Sequence, residues 1–327
     1  MDLDVVFLGT GGSVPSARRN TASVLVRRGG DRLLFDCGEG TQRQMQRSTG
    51  LVQVHDIFIT HLHADHYLGL PGLLKTWDMQ DRHESLVIYG PPGLRDLFLG
   101  MSRIIGRLGY EVELDELAPG DRVRFEGAAV EAFAVEHRIA ALGYALIEEE
   151  RPGRFDPDVA RSLGVAEGPD FGRLQAGEEV AGADGPVLPG QVMSEARPGR
   201  RIVVTGDTRP CDATAVAAGG AELLVHDASF TDAEAERATE TGHSTARQAA
   251  KVAAEAGVKM LALVHISARH FVPDILAEAR EEFAASVAPR DFDKIVIPFA
   301  ERGEPELIRE NALDGGEDEQ AEPAPEP

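Results

Sequence analysis

Short apolar runs recur along the chain, and most are flanked by glycine, proline or polar turns. Runs of this length and composition are typical of buried strands. They predict strands over residues 2–8, 21–28, 32–36, 57–59, 86–89, 110–117, 122–136, 141–148, 201–206, 223–228, 261–265 and 294–298. Helical spacing of apolar residues predicts helices over 42–48, 67–78, 94–105, 245–256 and 273–283. This alternation of strands and helices indicates a layered α/β fold.

The predicted strand Ile57–Ile59 ends in an unusually rich group of polar side chains. Within six residues after Thr60 the chain places His61, His63, Asp65 and His66. Imidazole and carboxylate are the ligands that zinc-type ions prefer. His61 and His63 alternate, so their side chains leave the same face of an extended segment and can hold one ion together. The alternative is a polar loop with solvent-exposed histidines, and this pattern is too specific to favour it.

Three more candidate ligands stand at the ends of later predicted strands: His137, Asp207 and His265. Strand ends gather at one edge of a layered α/β fold, so all seven side chains are expected to meet there. Seven ligands exceed the needs of one tetrahedral ion and match two ions that share a carboxylate. The natural division gives His61, His63 and His137 to one ion and Asp65, His66 and His265 to the other, with Asp207 between them.

The segment from about 150 to 195 differs from the rest of the chain, because Gly and Pro are dense and only one short helical pattern remains, at about 157–163. It is expected to be a flexible arm inserted into a single catalytic domain, residues 1–310. Between 151 and 177 its four arginines match four acidic residues. The last stretch, 311–327, is acidic, rich in proline and without periodicity, which predicts a disordered tail.

The net charge of the chain indicates the conditions under which the protein works. The formal net charge is −22, and only four of the 33 basic residues are lysine. An acidic, lysine-poor surface suggests adaptation to high salt, with an ordinary acidic cytosolic protein as the alternative. Two cysteines imply no disulfide framework, no apolar run approaches the length of a membrane span, and the N-terminus enters a strand without a basic leader. We therefore expect a cytoplasmic protein with no membrane and no DNA partner.

Several short motifs occur in a fixed order along the chain: FLGTGG at 7–12, CGEGTQ at 37–42, HLHADH at 61–66, GDT at 206–208, HST at 243–245 and HISAR at 265–269. Together with GPDFGRL at 168–174 in the arm, they resemble the ribonuclease Z family of the metallo-β-lactamase superfamily, over about residues 1–310. The resemblance implies a four-layer αββα sandwich of metallo-β-lactamase type with an inserted flexible arm.

The resemblance also implies a function. Members of the family are zinc-dependent endoribonucleases that remove the 3′ trailer from precursor tRNA by two-metal phosphodiester hydrolysis. The expected products are a 3′-hydroxyl on the tRNA and a 5′-phosphate on the trailer. Asp65 would act as general base, and His243 would assist protonation of the leaving 3′ oxygen. The family implies two Zn²⁺ per subunit, with Mn²⁺ or Fe²⁺ also accepted by these ligands, and a homodimer in which one subunit's arm holds tRNA for the other's site.

The same resemblance implies contacts with precursor tRNA in three regions, two near the predicted metal site and one in the arm. The residues that match are Arg18, Arg19, Asn20, Ser267, Arg269, Arg154, Gly168, Pro169 and Arg173. Two departures from the family pattern bear on this expectation. Ala17 stands where the family usually has lysine, and the arm is usually more basic than it is here. Both departures weaken electrostatic attraction to RNA.

Two other functions share these features. A phosphodiesterase of the same superfamily that acts on small or cyclic nucleotides would use every one of the metal ligands. The arm and the loop at Arg18–Asn20 favour tRNA over that alternative. A non-catalytic RNA-binding relative would use the sandwich only as a scaffold, and it would be expected to have lost ligands. All seven positions are retained in this chain.

Overall fold

Two large mixed sheets form the centre of the computed structural model, which describes residues 2–310. The strands are β1 (Leu3–Gly9), β2 (Ser23–Arg28), β3 (Asp31–Phe35), β4 (Asp56–Phe58), β5 (Leu86–Gly90), β6 (Val112–Glu116), β7 (Arg122–Phe125), β8 (Ala128–Ala134), β9 (Leu142–Glu148), β10 (Val180–Ala181), β11 (Pro186–Val187), β12 (Arg201–Val204), β13 (Leu223–Asp227), β14 (Met260–Val264), β15 (Ser286–Val287), β16 (Lys294–Val296) and β17 (Glu306–Ile308). The first sheet has the order β17-β16-β1-β2-β3-β4-β5-β6, and the second has the order β15-β14-β13-β12-β9-β8-β7.

The helices are α1 (Thr41–Arg47), α2 (Ala64–Tyr67), α3 (Leu70–Met79), α4 (Leu94–Ile105), α5 (Pro157–Ser162), α6 (Pro169–Gln175), α7 (Pro189–Val192), α8 (Asp212–Ala217), α9 (Ala235–Thr241), α10 (Ala246–Ala256) and α11 (Val272–Glu282). Helices α1, α3 and α4 bury their apolar sides on the first sheet, in one cluster that includes Met45, Trp77 and Met101. Helices α10 and α11 pack on each other and on strands of the second sheet.

Aromatic side chains join the two sheets. The Tyr144 ring on β9 lies 5.3 Å from the ring of Phe58 on β4 and 6.0 Å from that of Phe35 on β3. Its hydroxyl donates to the backbone oxygen of Ile59 over 2.8 Å. The sheets therefore pack face to face with helices outside them, which is the predicted αββα arrangement. No helix of residues 2–310 is long and apolar enough to cross a membrane.

Parallel pairing sets the position of the site. Strands β3, β4 and β5 run parallel in the first sheet, and β12, β13 and β14 run parallel in the second. The carboxyl ends of parallel strands lie at one edge of a sheet, so the polar segments that follow them come together. These are the segments that begin at Asp36, Thr60, Thr205, Ala228 and His265.

Some predicted elements differ from the structure. The strand predicted over 122–136 is two strands, β7 and β8, because the chain turns between them at Glu126 and Gly127, where Gly127 has φ of 69°. Periodicity also missed the helices α8 and α9, which are only six and seven residues long. Segments this short hold too few apolar positions to reveal a 3.6-residue period.

The chain divides into two compact units, and within the described residues the first comprises 2–125, 129–146 and 201–310. The second unit comprises 126–128 and 147–200. The predicted arm, about 150–195, lies within this second unit. We use "arm" for residues 151–197, since Arg151 and Arg197 exchange backbone hydrogen bonds of 2.7 and 2.8 Å across its base. The predicted disordered tail, 311–327, lies outside the described residues.

The arm has a hydrophobic cluster of its own. Three helices, α5 to α7, and the hairpin of β10 and β11 surround it, where the sequence predicted a single helix. Its buried members are Ala160, Val165, Leu174, Val180, Val187 and Val192. Proline at the first helical position of α5, α6 and α7 favours these short helices, because its fixed φ suits that position.

Candidate metal centre

The segment that follows β4 is fixed by one aspartate of the neighbouring strand. Asp36 follows β3, has φ of 57°, and accepts a 2.8 Å hydrogen bond from the backbone N–H of Thr60. Its Oδ2 lies 2.7 Å from Nδ1 of His66 and 2.9 Å from the Thr60 hydroxyl. The carboxylate therefore sets the path of the loop and also the ring orientation of His66. This geometry makes Asp36 a support for the metal ligand His66.

The first ligand cluster brings together side chains from three distant parts of the chain. His61 Nε2 lies 3.0 Å from His63 Nδ1, which in turn lies 3.2 Å from His137 Nε2. Asp207 Oδ2 lies 3.5 Å from His61 Nε2. The four donor atoms all lie within 4.8 Å of one another, so a single ion can contact all four.

The second cluster shares Asp207 with the first. Nε2 of His265 lies 3.2 Å from Asp65 Oδ2 and 3.3 Å from Asp207 Oδ2. His66 Nε2 lies 3.3 Å from Asp207 Oδ1 and 3.6 Å from Asp65 Oδ2. Asp207 thus stands between the two groups, as the division of ligands predicted. The structure brings all seven predicted ligands together at one edge of the two sheets.

Backbone and hydroxyl groups hold the outer nitrogens of the histidine ligands. The His137 Nδ1 lies 2.7 Å from the carbonyl oxygen of Gly242, and His265 Nδ1 lies 2.8 Å from the hydroxyl of Ser229. Contacts of this kind fix the tautomer and direct the opposite nitrogen, here Nε2, toward the centre. Gly12 faces His265 so closely that an added Cβ would lie 2.6 Å from Nδ1 of that ring.

The electrostatics of the centre suit a cation. Burial alone would raise the pKa of Asp207, but His265, His66 and His61 hold that pKa well below its usual value. Burial lowers the pKa of His61, and the nearby His66 lowers it further. Burial also opposes charge on His265, yet Asp207 and Asp65 outweigh it and raise the pKa of His265 to about 9. An ionised carboxylate surrounded by buried imidazoles favours the binding of a positive ion between these side chains.

Two buried atoms test whether a metal ion fits these residues. His66 Nε2 and Asp207 Oδ1 make no hydrogen bond to any part of the chain that the structure describes. A buried polar atom without a partner costs about 1–3 kcal/mol unless a ligand or water satisfies it. Both atoms face the centre, where a divalent ion would satisfy them. The donor set, five imidazoles and two carboxylates, also matches zinc-type ions, so the residues fit the metal that the sequence predicted.

Sequence reasoning missed Asp227, which stands at the end of β13. Asp227 Oδ2 lies 2.8 Å from Nδ1 of His243, and Asp227 Oδ1 accepts a 2.7 Å hydrogen bond from Ser229. Its side chain is fully buried beside the second cluster. The signal that could have found it is its position, because Asp227 ends β13 one strand over from the segment that carries Asp207.

His243 lies between the two ligand clusters. Its ring centre is 5.3 Å from that of His137 and 5.1 Å from that of His265, with which it stacks. Since Asp227 occupies Nδ1, the remaining nitrogen available to a substrate is Nε2. Thr245 caps α10, so His243 is not needed to begin that helix.

Comparison with known proteins agrees with the motifs. The family model "Metallo-beta-lactamase superfamily" matches residues 17–238. Over 307 residues the chain is 50% identical to ribonuclease Z of Haloferax volcanii, which covers 92% of this chain and 97% of that protein. The chain belongs to the ribonuclease Z family. It is also 51% identical over 289 residues to ribonuclease Z of Myxococcus xanthus, covering 87% of this chain and 94% of the relative.

A solved structure supports the fold of this ribonuclease Z family member. The crystal structure of human tRNase Z, short form, has a TM-score of 0.63 and 30% identity, and the match covers 90% of this chain and 99% of that chain. Together with the family model, it confirms the predicted metallo-β-lactamase sandwich. Use of a divalent metal follows from this fold and from the clusters of His and Asp side chains described above.

The loop of this family member at Arg18–Asn20 is anchored rather than open. Arg19 donates from Nη1 to the Thr10 hydroxyl over 2.6 Å and to the Pro289 carbonyl over 2.9 Å. The Asn20 amide donates to the Glu39 carbonyl over 2.8 Å. Arg18 is exposed. Contact with RNA stays a prediction for all three residues, and Arg18 is the one whose side chain is presented to solvent.

Ser267 and Arg269 follow the last ligand on the same side of the centre. The Arg269 guanidinium lies 3.6 Å from the Glu234 carboxylate and is half exposed. Its carbon Cζ lies 5.9 Å from the ring centre of Phe230. Ser267 Oγ lies 3.5 Å from the Arg269 guanidinium, so the two side chains are neighbours, as a shared phosphate contact requires.

The predicted RNA contacts of the arm lie on its surface. Arg154, Gly168, Pro169 and Arg173 are all exposed. Gly168 has φ of 127° and precedes Pro169, which begins α6. Arg173 makes ion pairs with Glu178 at 2.9 Å and Asp170 at 3.3 Å. The guanidinium of Arg173 is therefore partly neutralised within the arm itself.

Proposed function

We propose that this ribonuclease Z family member removes the 3′ trailer from precursor tRNA by metal-dependent hydrolysis. The products would be a tRNA with a 3′-hydroxyl and a trailer with a 5′-phosphate. The observation that supports this most is the meeting of seven donor side chains around Asp207, which lies beside His61 in one group and beside His66 and His265 in the other, in a chain about half identical to curated ribonuclease Z proteins. Since precursor tRNA is the substrate, we expect the enzyme to act in the cytoplasm.

We propose two Zn²⁺ ions per subunit, with Mn²⁺ or Fe²⁺ as alternatives that the same donors accept. His61, His63 and His137 would hold one ion, Asp65, His66 and His265 the other, and Asp207 would serve both. When bound, the ions supply polarisation of the scissile phosphate and activation of water.

Asp65 is proposed as the general base. Its side chain is 11% exposed, so it can meet water at the mouth of the centre. Its Oδ2 accepts a 2.9 Å hydrogen bond from the backbone N–H of Ser13 and lies 3.2 Å from His265. Burial would raise the pKa of Asp65, but the hydrogen bond to His265 and the charge of His66 hold it below its usual value, so the carboxylate is ionised at neutral pH.

His243 is proposed as the proton donor to the leaving 3′ oxygen. Asp227 would hold Nδ1–H and stabilise the imidazolium, which leaves Nε2–H to donate. Asp227 is thus a positioning residue and His243 the catalytic one. Arg18, Ser267 and Arg269 would contact the RNA near the centre, and the exposed residues of the arm would contact the tRNA elbow, mainly through shape and backbone.

A direct test incubates the purified protein with a precursor tRNA that carries a labelled 3′ trailer. We expect cleavage at the base of the trailer, loss of activity after chelation, and recovery when Zn²⁺ is restored. The Asp65→Ala variant should be inactive under all three conditions. An intact precursor after incubation with metal-loaded protein would overturn the proposed function, and equal cleavage by Asp65→Ala would remove Asp65 from the mechanism.

We also propose a homodimer, which the family resemblance implies. Light scattering on the purified chain tests it, with a mass of about twice 35.1 kDa expected. A mass equal to one chain at the concentrations used for cleavage would contradict the dimer without touching the chemistry.

A further inference from the structure

A groove of about 240 Å³ in the first unit concentrates positive charge in an otherwise acidic protein. Apolar side chains form part of its lining: Val272, Pro273, Leu276, Ala277 and Ala288. The rest of the lining consists of four arginines, Arg19, Arg280, Arg290 and Arg309, and no carboxylate of the described residues lines it. We call it the arginine groove. Four arginines at one place in a chain of net charge −22 call for a ligand rather than a solubility role.

The arginines are held in place by neighbouring oxygens. Arg280 donates from Nε to the Ser286 carbonyl over 3.1 Å, and Arg309 Nη1 lies 3.0 Å from Asp293 Oδ2. A guanidinium carries five N–H donors, so one such contact fixes the side chain and leaves donors for a ligand. Bidentate recognition of a phosphate requires this kind of pre-oriented fork.

Two acidic residues, Asp291 and Asp293, stand next to residues of the groove. Asp293 pairs with Arg309 and also accepts a 2.8 Å hydrogen bond from the backbone N–H of Arg290. The Asp291 carboxylate accepts hydrogen bonds from Thr10, from Gln44 and from the backbone N–H of Asn20. The lining itself carries four guanidinium groups and, among residues 2–310, no carboxylate.

The loops that form the groove also form the rim of the metal centre. The backbone N–H of Ile266, next to the ligand His265, donates to the carbonyl of Thr10 over 3.2 Å, and Thr10 in turn accepts from Arg19. On the other side, Val272 follows His265 by seven residues and opens α11, whose first residues line the groove. A ligand in the groove would therefore lie beside an RNA strand that passes over the metal centre.

We propose that the arginine groove binds one backbone phosphate of the RNA strand that flanks the scissile bond. The arginines would contact the phosphate oxygens, and the apolar wall would lie against the adjoining ribose or base. This inference rests on the proposed function, because it takes RNA as the substrate. It adds Arg280, Arg290 and Arg309, which the family motifs do not point to, to the residues that hold the RNA.

The test uses the full-length, metal-loaded protein and the two cleavage products, since neither product is cut again. These are a tRNA without its trailer and a short 5′-phosphorylated trailer strand, and their dissociation constants are measured over a salt series. One lost phosphate contact should lower the slope of log K against log salt by about 0.7–0.9, which is roughly a fivefold loss of affinity at 0.1 M salt. We expect this change in Arg280→Gln/Arg309→Gln for one of the two products, and that product shows which side of the cut the groove serves.

Arg103→Gln is the control, because Arg103 is an exposed arginine of α4, which packs against β6 at the opposite edge of the first sheet from β17. It removes one positive charge and should leave both slopes unchanged. If the double variant melts early, Leu276→Glu provides a second test: it adds a carboxylate to the groove without removing an arginine, and Leu276→Gln is its neutral partner. Leu276→Glu should reproduce the loss and Leu276→Gln should not.

Unchanged slopes for both products in the groove variants would overturn the inference. Inorganic phosphate is measured alongside, and a groove that loses phosphate binding while RNA binding stays unchanged would be a small-anion site, which also overturns it. Wild-type protein that fails to cleave precursor tRNA would overturn the proposed function instead, so the two failures are distinguishable.

Discussion

The metal centre and the arm use charge in opposite ways. In the centre, the polar groups come from distant parts of the chain, are buried or partly buried, and meet around Asp207. In the arm, Arg161 is bonded to Asp158 and Glu167 of the same short segment, and all three side chains are exposed to a large degree. The centre is an unbalanced cluster that needs a cation, whereas the arm carries more carboxylates than arginines and already offsets Arg161 and Arg173 with its own acidic side chains.

This difference assigns the chemistry to the metal centre and part of the substrate choice to the arm. The arm folds around its own hydrophobic cluster, with a base that Arg151 and Arg197 close, so its removal need not disturb the centre. Because Arg161 and Arg173 are paired internally, the arm is expected to recognise tRNA through shape and hydrogen bonds more than through net charge. An enzyme that works in high salt would benefit from such recognition, since salt screens exposed charge.

The largest effect is expected at the shared carboxylate. Asp207→Asn removes one negative charge from both clusters, and a metal ion supplies several kcal/mol to such a reaction, so kcat/KM should fall roughly 10³-fold or more. The loss should be the same for precursor tRNA and for a small chromogenic phosphodiester. Steady-state kinetics on both substrates provide the check. A loss confined to precursor tRNA would show that the centre and the arm are not separable.

Removal of the arm should produce the opposite pattern. We would replace the whole of 153–195 by a short Gly-Ser turn. A shorter deletion that ended at Glu179 would leave Val180, Val187 and Val192 without their partners in the hydrophobic cluster. Cleavage of precursor tRNA should fall at least about 100-fold, since binding of the remote part of the substrate is lost, while turnover of the small phosphodiester stays within about threefold. Undiminished cleavage of precursor tRNA would contradict a role of the arm in substrate binding. Circular dichroism checks that the shortened chain folds.

Asp227→Asn should give an intermediate effect that depends on the leaving group. Without the carboxylate, His243 loses its orientation and the stabilisation of its charged form, so precursor tRNA cleavage should fall by about 10- to 100-fold. An activated phosphodiester, whose leaving group needs no proton, should be affected far less. A merely structural role for Asp227 would slow both substrates equally. Asp227→Glu, which keeps the charge, should recover part of the loss.

The smallest effect is expected from neutral substitutions of the paired arm arginines. Arg161→Gln and Arg173→Gln remove charges that the arm already offsets, so precursor tRNA cleavage at moderate salt should change by less than about threefold each. Arg18→Gln, at an exposed arginine beside the centre, provides the comparison and should raise KM more than either arm variant does. A loss from Arg173→Gln larger than that from Arg18→Gln would mean that the arm does act through its charge.

Much of the fold and of the centre could be predicted from the sequence because strand ends carry the ligands. His61 and His63 alternate after the buried strand β4, and Asp207 and His265 follow β12 and β14, so parallel pairing brings these ligands to the carboxyl edge of their sheets. His137 follows β8. The residues behind the ligands were harder to find. Asp227 ends an apolar strand beside a buried histidine, His226, and the sequence does not tell which of the two side chains reaches the centre.

Other features depend on long-range contacts that a local pattern does not contain. The motif at Arg18–Asn20 predicted RNA contact, but Arg19 donates to the carbonyl of Pro289, which lies 270 positions away along the chain. The arginine groove arises in the same way, from Arg19 and three arginines near the C-terminal end of the domain. In the arm, helix α6 is too short to show a period, so the sequence predicted one helix where the structure has three.

The most direct test of the central claim is the number of zinc ions bound per chain. Element analysis of the full-length protein, saturated with Zn²⁺ and freed of excess metal, should give two ions per chain, because seven ligands form two clusters around one shared carboxylate. We expect Asp207→Asn to fall clearly below two and Asp227→Asn to remain at two. A wild-type value of one, or a value of two that Asp207→Asn leaves unchanged, would contradict the shared-carboxylate centre.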